Sequence, residues 1–163
     1  MSDAALPASA ADPAELRNLT FTLSLLQRAY RAAADRAVAH LGISQAAGWA
    51  LVTIGRQGDG TRQGVIADLL GIEGPTLIRT LDQLVGAGLV ERREDPTDRR
   101  ARTLHLTEAG AAIQARIEEA LNALRTELFQ DIPADDVRAC LRVFGTLWTR
   151  LGKADRGGAA SES

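Results

Sequence analysis

The chain has 163 residues, 45% of them hydrophobic, and a formal net charge of −2: enough for one core, with no overall positive charge to advertise a nucleic-acid binder. No run approaches the roughly 18 uncharged apolar residues of a membrane span, and the acidic start MSDAALPASAADPAEL lacks the basic and apolar blocks of a signal peptide. Cys140 is the only cysteine, which excludes an intramolecular disulfide, gives no zinc pattern and suits a reducing cytoplasm.

Residues 1–12 read as a disordered lead-in. Asp12 and Pro13 then supply an N-cap and first helical residue, and Leu16, Leu19, Leu23, Leu26, Tyr30, Ala33, Ala37 and Leu41 recur at steps of three and four. That spacing predicts a long helix over 13–41, ended by Gly42. Ser44 is placed to cap a second helix, 45–56, closed by GRQGDG. Thr61 is expected to open a third, TRQGVIADLLG, ended by Gly71, and IEGPTLIRTLDQLVGAG a fourth, with Pro75 early and a Gly-Ala-Gly exit. The period then changes: LVERR and ARTLHLT alternate and predict two strands of a hairpin with EDPTDRR at the tip. Thr107 opens a fifth helix, 108–130, and IPADD leads into a sixth, 134–151, with Cys140 on a packing stripe beside Val137, Phe144 and Leu147. A tail, 152–163, is expected to be disordered.

Short helices joined by a glycine turn and followed by a hairpin predict a winged helix-turn-helix over 44–107, in a mainly α fold with a small β-hairpin. The long outer helices, 13–41 and 108–151, carry more apolar surface than so small a unit can cover, which predicts a homodimer. On a wheel of the fourth helix, Leu77, Leu81, Leu84, Val85 and Gly88 gather on one side and Thr76, Arg79, Gln83 and Gly86 on the other. Arg suits guanine O6 and N7, and Gln suits adenine N6 and N7, so this polar face fits a major groove, although any amphipathic helix shows one. Across 91–102 stand five arginines and four acids. The total is close to neutral, but Pro96 and Asp98 are turn formers that hold arginines outward, where a narrow minor groove attracts them.

The segment GIEGPTLIRTLDQLVGAGLVERREDPTDRRARTLHLTEAG, residues 71–110, resembles the MarR family of bacterial transcriptional regulators, and its SlyA branch most. The recognition-helix run, the D-R-R wing and the L-T-E-x-G start of the next helix carry the resemblance, and the helical order extends it over about 13–151. The resemblance implies a DNA-binding homodimer, usually a repressor, on a pseudo-palindromic operator. Residue by residue, Thr76, Arg79 and Gln83 match the family's recognition positions. Asp98 and Arg100 match its Asp-x-Arg wing pair, the arginine entering the minor groove while the aspartate braces it, and Arg99 adjoins them.

Many relatives release DNA when a small aromatic carboxylate or phenol enters a cleft beside the dimer helices. By that analogy Tyr30, His40 and Trp49 are the candidate effector residues, against a plain role in packing or, for His40, in capping helix carbonyls. His105 alternates with Leu104 and Leu106 and is expected to face solvent. A thiol-responsive regulator acting through Cys140 is the competing reading, but no activating His or Lys adjoins that cysteine on its stripe. A winged-helix module that binds only protein is the other alternative. No catalytic constellation, metal cluster or phosphate loop is evident, so neither an enzyme nor a cofactor is expected.

Overall fold

The computed structural model describes residues 11–98 and 100–151. Readings made for residues 1–10, Arg99 and 152–163 lie outside them. The chain divides into two units at Arg36/Ala37.

The first unit holds most of α1 (Pro13–Val38). Asp12 caps it, its Oδ1 accepting from the Ala14 amide at 3.0 Å, and the fixed φ of Pro13 suits the first helical position. Leu16, Leu19, Phe21, Leu23, Leu25 and Leu26 are exposed along it.

The second unit begins in the last turn of α1 and a single 3-10 turn, Ala39–Leu41, that stops at Gly42. Then come α2 (Gln45–Gln57), β1 (Thr61–Arg62), α3 (Gln63–Leu70), α4 (Gly74–Gly86), β2 (Val90–Glu94), β3 (Arg102–Leu106), α5 (Glu108–Phe129) and α6 (Ala134–Arg150). Ser44 caps α2 through the Ala47 amide at 3.3 Å, and Thr107 caps α5 through the Gly110 amide at 3.0 Å. Between α3 and α4 the chain turns at Gly71 with φ +65°, a conformation that costs glycine little. There the Ile72 amide donates to the Ala67 carbonyl at 3.1 Å, leaving α4 free to start in a new direction.

The core is built from Leu51 and Ile54 of α2, Ile66 of α3, Leu77, Leu81 and Leu84 of α4, Val90 and Leu104 of the sheet, and Leu121 of α5. Gly55 of α2 leaves room for a side chain of α5: a Cβ there would stand 2.9 Å from the Gln114 side chain. Arg56 braces the same pair of helices, its Nε donating to Glu118 at 2.7 Å. Burial pushes the Glu118 carboxyl up, but Arg56 and Arg125 outweigh it and hold the group below its ordinary pKa. No single helix among the described residues is long and apolar enough to cross a membrane.

Four local expectations are corrected. The hairpin is part of a three-stranded antiparallel sheet ordered β1-β3-β2, with Thr61 opposite Leu104 and Arg62 opposite Thr103. Thr61 therefore does not open α3; its hydroxyl donates back to the Gly58 carbonyl at 3.0 Å, while the Gly60 amide donates to Leu104 at 3.1 Å, holding the backbone extended. Val85, placed on the buried face of α4, is 39% exposed, and Thr80 takes the buried position instead. His105 does not face solvent: its side chain is 13% exposed, and Asp59, from the loop before β1, stands 2.9 Å from Nδ1. Cys140 is exposed, as are most residues of α6, and none of that helix is buried in the protomer.

Candidate nucleic-acid interface

The inward set of α4 decides its outward set. With Leu77, Thr80, Leu81 and Leu84 buried, the helical period leaves Thr76, Arg79 and Gln83, at i, i+3 and i+7, on the opposite, exposed surface. Among the described residues none of these three side chains has a hydrogen-bond or ion-pair partner. Glu73, at the N-cap position, makes no side-chain cap, so the first amides of α4 lack a side-chain acceptor there as well. A face of hydroxyl, guanidinium and amide thus stands open, its donors uncommitted.

The wing shows the opposite economy. Arg92 donates to Asp82 on α4 at 2.6 Å and to the Ile78 carbonyl at 3.2 Å. Arg93 pairs with Glu91 at 2.9 Å and Arg102 with Glu94 at 2.9 Å. Of the described arginines between 91 and 102, only Arg100 has a guanidinium without a described partner, and it is exposed. The pairings thus single out Arg100 within a segment of nearly balanced charge.

Asp98 does not brace that guanidinium in this structure. Its Oδ1 accepts from the Arg100 backbone amide at 3.0 Å, and its carbonyl accepts from the Ala101 amide at 2.9 Å. The aspartate therefore shapes the turn on which Arg100 rides. The tip is organised by a residue that sequence reasoning passed over, Asp95, which is 7% exposed. Its Oδ2 accepts from Arg62 Nε at 2.6 Å, and its Oδ1 from the Thr97 hydroxyl at 2.6 Å, the Thr97 amide at 2.8 Å and the Asp98 amide at 3.1 Å. The Arg62 hydrogen bond, then those from Thr97, hold the Asp95 carboxyl far below the ordinary carboxylate range, and Asp95 in turn raises the Arg62 guanidinium. Asp-Pro-Thr is a local signal for an Asx turn. No local signal marks Arg62, 33 residues away.

The candidate effector residues are less concentrated. Tyr30 is half-buried on α1, in the other unit. His40 is exposed, its ring Nδ1 donating to the Ala37 carbonyl at 3.0 Å, the capping role weighed for it. Trp49 is half-buried on α2. Among the described residues no group of three or more His, Cys, Asp or Glu is placed to hold a metal ion.

A family model described as MarR family matches residues 41–101, from the end of the 3-10 turn to the tip of the wing. Among solved structures, the transcriptional regulator PA3341 is similar at 34% identity and a TM-score of 0.77, over 83% of this chain and 98% of that one. A mutant MarR from E. coli complexed with operator DNA is similar at 25% identity and a TM-score of 0.68, over 84% of this chain and 99% of that one. CouR from Rhodococcus jostii RHA1 bound to p-coumaroyl-CoA is similar at 27% identity and a TM-score of 0.68, over 80% and 90%. The helix-turn-helix, its three-stranded wing and these similarities agree: the chain belongs to the MarR family of transcriptional regulators.

Proposed function

We propose that the protein is a cytoplasmic homodimeric repressor that reads a pseudo-palindromic operator with one winged helix-turn-helix per protomer. The observation that carries this reading is the selective availability of polar groups. Thr76, Arg79 and Gln83 on α4 have no described partner, and neither does Arg100 on the wing, while Arg92, Arg93 and Arg102 are tied to carboxylates. In this reading Arg79 and Gln83 take base edges in the major groove, Thr76 takes a phosphate or thymine methyl, and Arg100 enters the flanking minor groove. Asp98 sets the backbone that presents Arg100, and Arg99 is the adjoining phosphate candidate. The exposed apolar rows of α1 and α6 support the dimer, since water-exposed leucine, phenylalanine and tryptophan at that density are costly to leave uncovered. The run GIEGPTLIRTLDQL supports a SlyA-like member.

Selection from random duplex DNA tests the reading. An enriched site with two half-sites about one helical turn apart is expected, and enrichment of no duplex sinks it. Relatedness to CouR, solved with p-coumaroyl-CoA, supports release by a small aromatic carboxylate or phenolic effector, with Tyr30, His40 and Trp49 as its contacts. Repeating the binding with a panel of aromatic acids and phenols tests that part: unchanged affinity throughout removes these compounds from the proposal.

A further inference from the structure

Between the N-terminal end of α3 and the tip of the wing lies an open cleft of about 500 Å³, lined in part by Arg62, Gln63, Asp68, Arg100 and Arg102. Arg62 is the residue at its hinge. Its backbone pairs with Thr103 in the sheet and occupies the N-cap position of α3. Its side chain crosses to the wing turn, Nε to Asp95 at 2.6 Å and Nη2 to the Thr97 hydroxyl at 3.1 Å. Asp95 holds the Asp98 amide at 3.1 Å, and Asp98 holds the Arg100 amide at 3.0 Å. One series of bonds thus runs from the start of the helix-turn-helix to the wing residue with the uncommitted guanidinium. It includes a buried carboxylate, and a buried carboxylate that loses its charged partner either draws in water or leaves its site.

Resting on the DNA-binding reading above, we propose that Arg62 is a positioning residue of the wing: through Asp95 and Thr97 it holds Arg100 in register with α3 and α4. The wing and the recognition helix then meet DNA as one preorganised surface, which reduces the ordering needed on binding. A direct bond from Arg62 to a phosphate is the rival role, and it makes a different pattern. A positioning residue acts through Arg100, so its effect vanishes once Arg100 is gone; an independent phosphate contact adds to the effect of losing Arg100.

The test compares the wild-type full-length protein with Arg62→Ala, Arg100→Ala and the double variant. Each is titrated with the duplex that the wild type selects, and with a copy whose flanking A·T pairs are replaced by G·C to widen the minor groove. Arg62→Ala is expected to lower affinity about tenfold, to lose discrimination between the two flanks as Arg100→Ala does, and to keep the base preference set by α4. The double variant is expected to bind no more weakly than Arg100→Ala alone. Multiplying effects, or flank discrimination intact in Arg62→Ala, overturns the proposal. Hydrogen exchange in the free protein supplies a readout without DNA: the amides of Thr97, Asp98 and Arg100 exchange faster in Arg62→Ala if the series of bonds holds the turn, and equal exchange counts against it. Should Arg62→Ala fold poorly, Thr97→Val removes the shared hydroxyl at an exposed position and is expected to show the same pattern at smaller amplitude. Wild-type protein that selects no duplex defeats the DNA-binding reading, whereas wild-type binding with an unaffected Arg62→Ala defeats this inference alone.

Discussion

Replacing Gly110 by alanine isolates a close approach on which the join between the wing and α5 depends. A Cβ there would press into the Leu89 carbonyl oxygen, with the carbonyl carbon at 2.9 Å and Leu89 Cα at 3.3 Å. A relaxed carbon–oxygen contact needs about 3.3 Å or more, so backbone must move. Two bonds stand in the way: the Thr107 amide donates to that same Leu89 carbonyl at 3.1 Å, and the Gly110 amide donates to the capping Thr107 hydroxyl at 3.0 Å. Overpacking costs about 1–3 kcal/mol, and a weakened cap about 1 kcal/mol. The better helix propensity of alanine returns about 1 kcal/mol. A net loss of about 2 kcal/mol is expected, which lowers Tm by about 6 °C in a domain of this size. Thermal unfolding followed by far-ultraviolet circular dichroism reads it, at one fixed protein concentration because dimerisation makes Tm concentration-dependent. Gly64→Ala is the control, since nothing lies within 4 Å of a Cβ there, and the same propensity gain is expected to raise its Tm by about 2–4 °C. A Gly110→Ala protein as stable as this control would refute the packing argument.

Arg79→Ala is expected to cost about 1–3 kcal/mol in operator binding and to relax base preference at one position per half-site, measured by repeating the duplex selection with the variant. Arg100→Ala is expected to weaken binding and reduce the slope of log affinity against log salt by about 1 per wing, whereas Arg102→Ala, already paired with Glu94, changes both much less; equal effects would contradict the assignment of the free guanidinium. Glu118→Gln is expected to cost about 1 kcal/mol at neutral pH, a figure kept small because Arg56 is half exposed. Because the folded Glu118 pKa is depressed, its contribution is present above the ordinary value of about 4.3 and fades as pH falls through the lower folded value. The wild type should therefore lose its advantage over the variant in acid, and denaturant midpoints across that range check it. Leu141→Asp, on the exposed row of α6, is expected to weaken the dimer by about 3 kcal/mol, roughly 100-fold, seen as monomer by light scattering after gel filtration.

Much of the architecture was legible in the residues because its causes are local. The caps at Asp12, Ser44 and Thr107 act over two or three residues. The outward row of Thr76, Arg79 and Gln83 follows from the inward row of Leu77, Leu81 and Leu84 by the helical period alone. The family motif over 71–110 placed the wing. Val85 marks where periodicity loses precision: it lies at the edge of the buried arc, and the packing of α4 against its neighbours chose Thr80 instead.

The sequence by itself determined the helices, their polar and apolar faces, and a wing segment of nearly balanced charge. Only the tertiary structure decided which charges in that segment are used up. Strand β1 is two residues long and exists because β3 pairs with it, so no pattern within Thr61–Arg62 announces it. Once paired, it carries Arg62 to Asp95, just as the meeting of α4 and β2 carries Arg92 to Asp82. Asp59 meets His105, and Leu89 requires a glycine at 110, for the same reason. Charge interaction and steric exclusion depend on distance through space, and distances between residues far apart in the chain are set by sheet register and helix packing. Among the described residues of the wing, Arg92, Arg93 and Arg102 have carboxylate partners and Arg100 has none.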